Sequence, residues 1–369
     1  MYNIKFASGP CAKPKTWKPI SSDIIGRSHR SEAGLERIQY MLKLTRDVLQ
    51  IPADYHLGLI TGSSTAAMES LLWSLIGARG VDLIAACTFS NIWADDVTQQ
   101  LEITDARRIE SKFGTLTGLD KVDFDRDVVF SWTGTTAGIS VNNADWIDSH
   151  RDGLTICDAA SGVFCNNLEW SKLDATAFSF QKGLGGEAGL GAVVLSPRAV
   201  NRLQNYIPLH RPMPRIYRLA NAGIVNFGIF EGKTINTPSM LTVEDCICAL
   251  EWAESIGGLP ALVHKVEKNY QYMKQFEASQ NVFKFYVKDE HIRAKNVICF
   301  DINDQQYHQL SEKDQWSYLK KRVEMLETDK IAYDILGHSA THPHIRVWCG
   351  PTIDVKDLKY FTSNVLKYF

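Results

Sequence analysis

Lys182 follows the apolar run TAFSFQ and precedes four glycines in seven residues: Gly183, Gly185, Gly186 and Gly189. Three chemistries compete at such a position. Taken alone, it reads as a solvated turn lysine, as most lysines are. A phosphate loop needs Gly-Lys followed by Ser or Thr at the opening of a helix, and here the lysine comes before its glycines. A Schiff-base lysine carrying pyridoxal phosphate needs company: an acid for the pyridinium nitrogen, an aromatic face for the ring and a cup for the phosphate.

The sequence holds a candidate for each. Asp158 ends the run LTICD (154–158). A carboxylate there can keep a ring nitrogen protonated and make the ring an electron sink; on local sequence alone it is equally a strand-end or N-cap residue. Ser63, Ser64 and Thr65, in TGSSTAAMES, fall between a strand pattern and a helix pattern. Hydroxyls and first-turn amides hold phosphates in that setting, and the same residues are ordinary N-caps elsewhere. Trp93, in FSNIWADD, can stack on a ring or fill a core. Each signal is weak singly; their order and β/α setting make the combination much stronger.

The elements that must position these groups follow a β/α rhythm. Short apolar runs at 57–61, 81–86, 127–132, 154–157, 176–180 and 191–196 read as strands. Several are apolar throughout, as in a mostly parallel sheet covered on both faces. Helix patterns fall at about 31–50, 62–77 and 89–101, the first stopped by Pro52. After about 240 the texture changes to long helices at 241–258 and 259–278, a strand at 296–302 and a helix at 311–327. The fold class expected is α/β: a large domain with a mostly parallel mixed sheet flanked by helices, plus a smaller α+β domain.

Bulk properties exclude several function classes. The 369 residues are 45% hydrophobic, ample for a large core, with a formal net charge of −2. No basic run interleaved with aromatics points to nucleic acid. No apolar run of about 18 residues predicts a membrane span, and MYNIKFASGP lacks the apolar centre of a signal peptide. A cytoplasmic location is the expectation. The eight cysteines are scattered without a CxxC pair, as reduced buried thiols would be. No His/Cys/carboxylate cluster has ligand spacing, so no metal is expected.

The chain resembles the phosphoserine aminotransferase family of class V, fold-type I pyridoxal phosphate enzymes, over essentially its whole length. The likeness is carried by GRSHRS, LWSLIGARGVD, KVDFDRDVVFSWTGTTAG, GLTICDA, QKGLGGEAG, GIFEGKTINTPSML and IRVWCG. It implies that Lys182 carries the cofactor as a Schiff base and then shuttles a proton. Asp158 would pair with the pyridinium nitrogen and Trp93 would stack on the ring. Thr135 would reach the ring hydroxyl, with Thr136 as the alternative. Ser63, Ser64, Thr65 and Gln181 would line the phosphate site. Asn236 and Thr237 would reach that phosphate from a neighbouring subunit, which makes a homodimer with shared sites. The division expected is 16–258 for the large domain, and 1–15 with 259–369 for the small one.

A transaminase for acidic substrates must hold two anions. Arg346 matches the family's arginine for the substrate α-carboxylate, whose bidentate fork suits it. His29 and Arg30 match the residues for the distal phosphate, and His338 stands near. Ser339 stands where the family usually adds an arginine, which touches the choice of substrate more than the reaction type. The function implied is amino transfer between glutamate and 3-phosphohydroxypyruvate, giving O-phosphoserine in serine biosynthesis. The alternatives are a class V aminotransferase or lyase for another acidic amino or keto acid, and a non-catalytic protein of the same fold.

Overall fold

The computed structural model describes residues 2–209 and 211–369. Helix α1 (Glu32–Leu49) starts where the Ser31 hydroxyl accepts from the Gly34 amide and ends where Gln50 turns left-handed. It buries Ile38, Met41, Leu42, Val48 and Leu49 in a core shared with α5 (Met240–Ser255). Burying each of these side chains stabilises the fold by about 1.5–3 kcal/mol.

In chain order come β1 (His56–Thr61), α2 (Ser63–Leu75), β2 (Val81–Ala85), α3 (Thr88–Asp95), β3 (Ala106–Glu110) and β4 (Asp127–Ser131). There follow the hairpin β5 (Thr133–Gly134) and β6 (Ile139–Ser140), then β7 (Thr155–Asp158), β8 (Ala175–Ser179), β9 (Leu190–Leu195) and α4 (Pro197–Asn205). The large sheet has seven strands in the order β1-β9-β8-β7-β4-β2-β3. Only β9 runs against its neighbours, so the remaining six strands share one direction. Strands β2, β7, β8 and β9 are buried at every residue. They have helices on both faces, which is why they read as unbroken apolar runs. The expected α/β class with a mostly parallel mixed sheet is the one observed.

A small hairpin, β10 (Ala220–Asn221) with β11 (Ile224–Val225), precedes α5. Helix α6 (Gly258–Ser279) then leads to a second, antiparallel sheet of β12 (Phe283–Phe285), β13 (Val297–Ile302) and β14 (Ile345–Trp348). Phe6, Cys11 and Ala12 belong to the same apolar cluster as this sheet and helix α6. The N-terminal segment thereby crosses from the small sheet to the edge of the large one. Among the described residues no single helix is long and apolar enough to cross a membrane.

Candidate active site

The carboxyl ends of the parallel strands lie at one edge of the large sheet, and a β/α sheet opens its crevice there. Just beyond β1 come Ser63, Ser64 and Thr65; beyond β2, Phe89 and Trp93; beyond β4, Thr133 and Thr135. Asp158 ends β7, and Gln181 and Lys182 follow β8. These residues, with Ala160 and Ser161, line one cavity of about 200 Å³. Eight of the side chains expected from sequence for the cofactor are therefore together: Ser63, Ser64, Thr65, Trp93, Thr135, Asp158, Gln181 and Lys182.

One end of the cavity is a helix N-terminus. Gly62, at φ 119°, turns the chain from β1 into α2 and donates its amide to the Gly189 carbonyl. First-turn amides have no intrahelical acceptor, and the helix dipole favours an anion there. Gln181 Nε2 donates to Ser63 Oγ at 2.9 Å, while its buried Oε1 has no partner.

Asp158 forms another wall. Its Oδ1 accepts from the Ala160 amide at 3.0 Å and its Oδ2 from Trp93 Nε1 at 2.9 Å, with Ser131 Oγ at 3.5 Å. Burial pushes its carboxyl up, and these donors and Lys182 pull it back. Helix α3 is fixed for this purpose by a cap: Ser90 Oγ accepts from the Ala86 and Cys87 amides, both at 2.9 Å. An indole N–H donates in its ring plane, so Trp93 meets Asp158 edge-on and is only 3% exposed. Phe89, one turn earlier on the same helix face, lines the same cavity and is 36% exposed. Thr135 Oγ1 donates to Ser161 Oγ at 2.5 Å. Thr136 is fully buried and accepts from the Thr88 amide, away from the lining.

Lys182 Nζ donates to the Ser8 carbonyl at 2.7 Å. Burial lowers its pKa, as does Arg346, while Cys11 and Asp158 act the other way. Across the Ser8 contact lies a second cavity of about 600 Å³, lined by residues 7–13 with Lys5, Glu187, Asp334, Leu336 and Arg346. Arg346, on β14, is half-buried, and its side chain makes no hydrogen bond or ion pair among the described residues; its Nε is buried and unpartnered. Burial lowers its pKa, with the thiols of Cys299 and Cys11 opposing. His338 feels burial first, then Arg346 and Lys182, all lowering its pKa. Its ring centroid is 6.4 Å from that of Phe89.

Four expected residues lie elsewhere. His29 is buried at the approach to α1, with Nε2 unpartnered, and Arg30 beside it is exposed. Asn236 and Thr237 are exposed, and the Asn236 side chain meets Thr61 Oγ1 of its own chain. None of the four lines either cavity, and neither does His338. Phe89, Thr133, Ser161 and the Ser8 carbonyl went unread in the sequence. The i, i+4 spacing of Phe89 and Trp93 carries the one signal that points to any of them.

No family model matches the sequence. It is 45% identical over 359 residues to the phosphoserine aminotransferase of Methanosarcina mazei, covering 97% of this chain and 94% of that protein. It is 44% identical over 361 residues to the phosphoserine aminotransferase of Methanosarcina barkeri, with the same coverage of each. The fold superposes on a phosphoserine aminotransferase structure from Cytophaga hutchinsonii with a TM-score of 0.83 at 19% identity, covering 99% of this chain and 98% of that one.

Proposed function

The chain belongs to the phosphoserine aminotransferase family, and from that membership and the geometry of its site we propose that it transfers the amino group between glutamate and 3-phosphohydroxypyruvate with pyridoxal phosphate as cofactor. The observation that carries this reading is Arg346: a half-buried guanidinium with no partner, facing a cavity next to Lys182. A buried donor left unpaired costs about 1–3 kcal/mol, and more when charged. A carboxylate in its fork removes that cost.

The residues of the smaller cavity fit the cofactor. A phosphate suits the α2 N-terminus with Ser63, Ser64, Thr65 and the unpartnered Gln181 Oε1, once the amide is turned to donate. Asp158 suits a pyridinium, and Thr133 and Thr135 offer hydroxyls along the ring. We assign the ring face to Phe89 rather than Trp93, because Phe89 lines the cavity with an exposed ring while Trp93 is buried. Bound there, pyridoxal phosphate supplies a protonated ring that accepts the electron pair left when a substrate Cα loses its proton.

The chain's own residues do the rest. Arg346 grips the α-carboxylate of each substrate in turn. Lys182 Nζ removes the Cα proton and later returns one; its lowered pKa makes it a better base near neutrality. Asp158 is held by Trp93 Nε1 and the Ala160 amide, donors that favour its carboxylate against the burial that pushes its pKa up. His338 borders the approach to Lys182. His29 and Arg30 line neither cavity of their own chain, so the role expected of them at the distal phosphate or the glutamate γ-carboxylate would have to be met from a second copy.

A homodimer completes the proposal. Asn236 and Thr237 are exposed and line neither cavity of their own chain. Ile224, Phe227 and Leu241 are exposed apolar residues of the kind that a second copy would cover. A cytoplasmic location is part of the same reading.

The test is a two-substrate assay. Glutamate plus 3-phosphohydroxypyruvate should give 2-oxoglutarate and O-phosphoserine. Ser339 is exposed and offers no charge, so other acidic keto acids belong in the panel. Turnover of one of those without any phosphoserine would sink the substrate assignment.

A further inference from the structure

The acceptor of Lys182 is a backbone carbonyl from the far end of the chain. Ser8 and Lys182 are 174 residues apart in sequence and their hydrogen bond is 2.7 Å. The segment that presents this carbonyl is fixed on both sides. Before it, the Phe6 carbonyl accepts from the Trp348 amide and the Phe6 ring is fully buried. After it, the Cys11 amide donates to the carbonyl of Gln181, the residue preceding the lysine, at 2.8 Å. Gly9 lies flat against the lysine. A Cβ there would come within 2.0 Å of Nζ and 2.7 Å of Cε. A side chain at this position would push Nζ off the carbonyl, so the contact requires glycine here.

The contact also divides the site. Ser8 lines the cavity of Arg346, and Lys182 lines the cavity of Asp158 and the α2 N-terminus. Nζ is thus parked at the boundary across which a substrate carbon, tethered at Arg346, would meet the cofactor. A lysine side chain has four carbon–carbon torsions, and its free amine otherwise samples many rotamers.

We propose that the Ser8 carbonyl is the docking post for the Lys182 amine whenever that amine is not bonded to the cofactor, with Ser8 and Gly9 acting as positioning residues. The inference rests on the reading of Lys182 as the cofactor-bearing lysine. When the amino group of a substrate displaces Nζ, the freed base returns to the post, within reach of the proton it must remove. Once it has taken that proton, the carbonyl accepts from the ammonium. The other charged or titratable groups that face Nζ are Asp158, Cys11, Arg346 and His338. Asp158 favours the ammonium; Arg346 and burial disfavour it. The carbonyl adds to the first side.

The experiment uses protein stripped of cofactor and reloaded with pyridoxal phosphate across a pH series, followed by visible absorbance. Attachment needs the neutral amine. Gly9→Ala pushes Nζ off the carbonyl, so the ammonium loses an acceptor and the midpoint of uptake should move to lower pH, by about one unit. A loss of packing alone would lower the melting temperature and leave the midpoint in place, which overturns the docking role. If Gly9→Ala does not fold, wild-type holoenzyme crystals soaked with O-phosphoserine decide the matter. Nζ about 3 Å from the Ser8 carbonyl supports the post; Nζ directed elsewhere overturns it. Wild-type protein that takes up no cofactor overturns the reading of Lys182 itself, and the post with it.

Discussion

In the proposed function two side chains, Arg346 and Trp93, set what the site binds and how it titrates. Arg346 keeps a guanidinium among Cys11, Cys299 and His338 without a counter-ion. Lysine keeps the charge and loses the planar fork, so Arg346→Lys should raise KM for both substrates by roughly 10- to 100-fold, from the ~1.5–3 kcal/mol of a charge-assisted bond. Initial rates against each substrate check this; a change confined to kcat would remove Arg346 from substrate binding. Trp93→Phe deletes the 2.9 Å donor to Asp158. The carboxylate form loses support, so its pKa, already raised by burial, rises further. The acidic limb of the kcat/KM profile should then move to higher pH by about one unit. An unmoved limb, with loss of cofactor affinity, would return Trp93 to the stacking role that its sequence context suggests. At this scale the sequence was legible where chemistry needs a particular residue type. Lysine, carboxylate, serine cup and arginine all stood out. It was silent on Ser8, because a backbone carbonyl has no residue signature and its partner lies 174 positions away.

Elements were legible in proportion to their burial. The apolar runs at 57–61, 81–86, 127–132, 176–180 and 191–196 all fall on observed strands to within a residue or so. Strand β3 (ARRIE) went unread because it is an edge strand with mostly exposed or half-exposed residues. Its Arg107 and Arg108 reach outward to Asp82 and Asp95 rather than alternating into a core. The single helix expected over 89–101 is α-helical only to Asp95 and then π-helical over Asp96–Gln100. That change of pitch carries Asp96 into a poor position: its Oδ2 is buried without a partner. Burial, Glu69 and Asp95 raise its pKa to about 6. The folded chain thus holds the Asp96 proton more tightly than the unfolded chain does. Its contribution favours folding at low pH and is lost as pH rises from about 4 through about 6. Asp96→Asn removes the charge and should stabilise the fold at pH 8 by on the order of 1 kcal/mol after allowance for solvent screening, read as a higher melting temperature. At pH 4 the difference should vanish. A stabilisation equal at both pH values would show that the charge is not its cause.

Completeness of the site is a property of the whole molecule. One chain gathers Lys182, Asp158, the α2 N-terminus and Arg346, and leaves His29, Arg30, His338, Asn236 and Thr237 outside both cavities. No pattern in a single sequence says which chain a residue serves; the exposure of Asn236 and Thr237, which line neither cavity of their own chain, supplies the physical hint. Mixed dimers turn that hint into a measurement. Lys182→Ala alone should lose both the visible cofactor band and activity, since no other group can form the bond. Asn236→Ala combined with Thr237→Ala should lose cofactor affinity through the phosphate. If those two residues serve the partner's site, refolding the two inactive proteins together restores one good site in each mixed dimer: Lys182 from the double variant, Asn236 and Thr237 from the Lys182→Ala chain. Random pairing at 1:1 then returns roughly a quarter of the wild-type sites. If each chain serves only itself, every site in the mixture carries a defect and activity stays at the level of the separate variants. The two outcomes differ by a signal that a simple activity assay resolves, and the second would end the shared-site assignment while leaving Lys182, Asp158 and Arg346 in their roles.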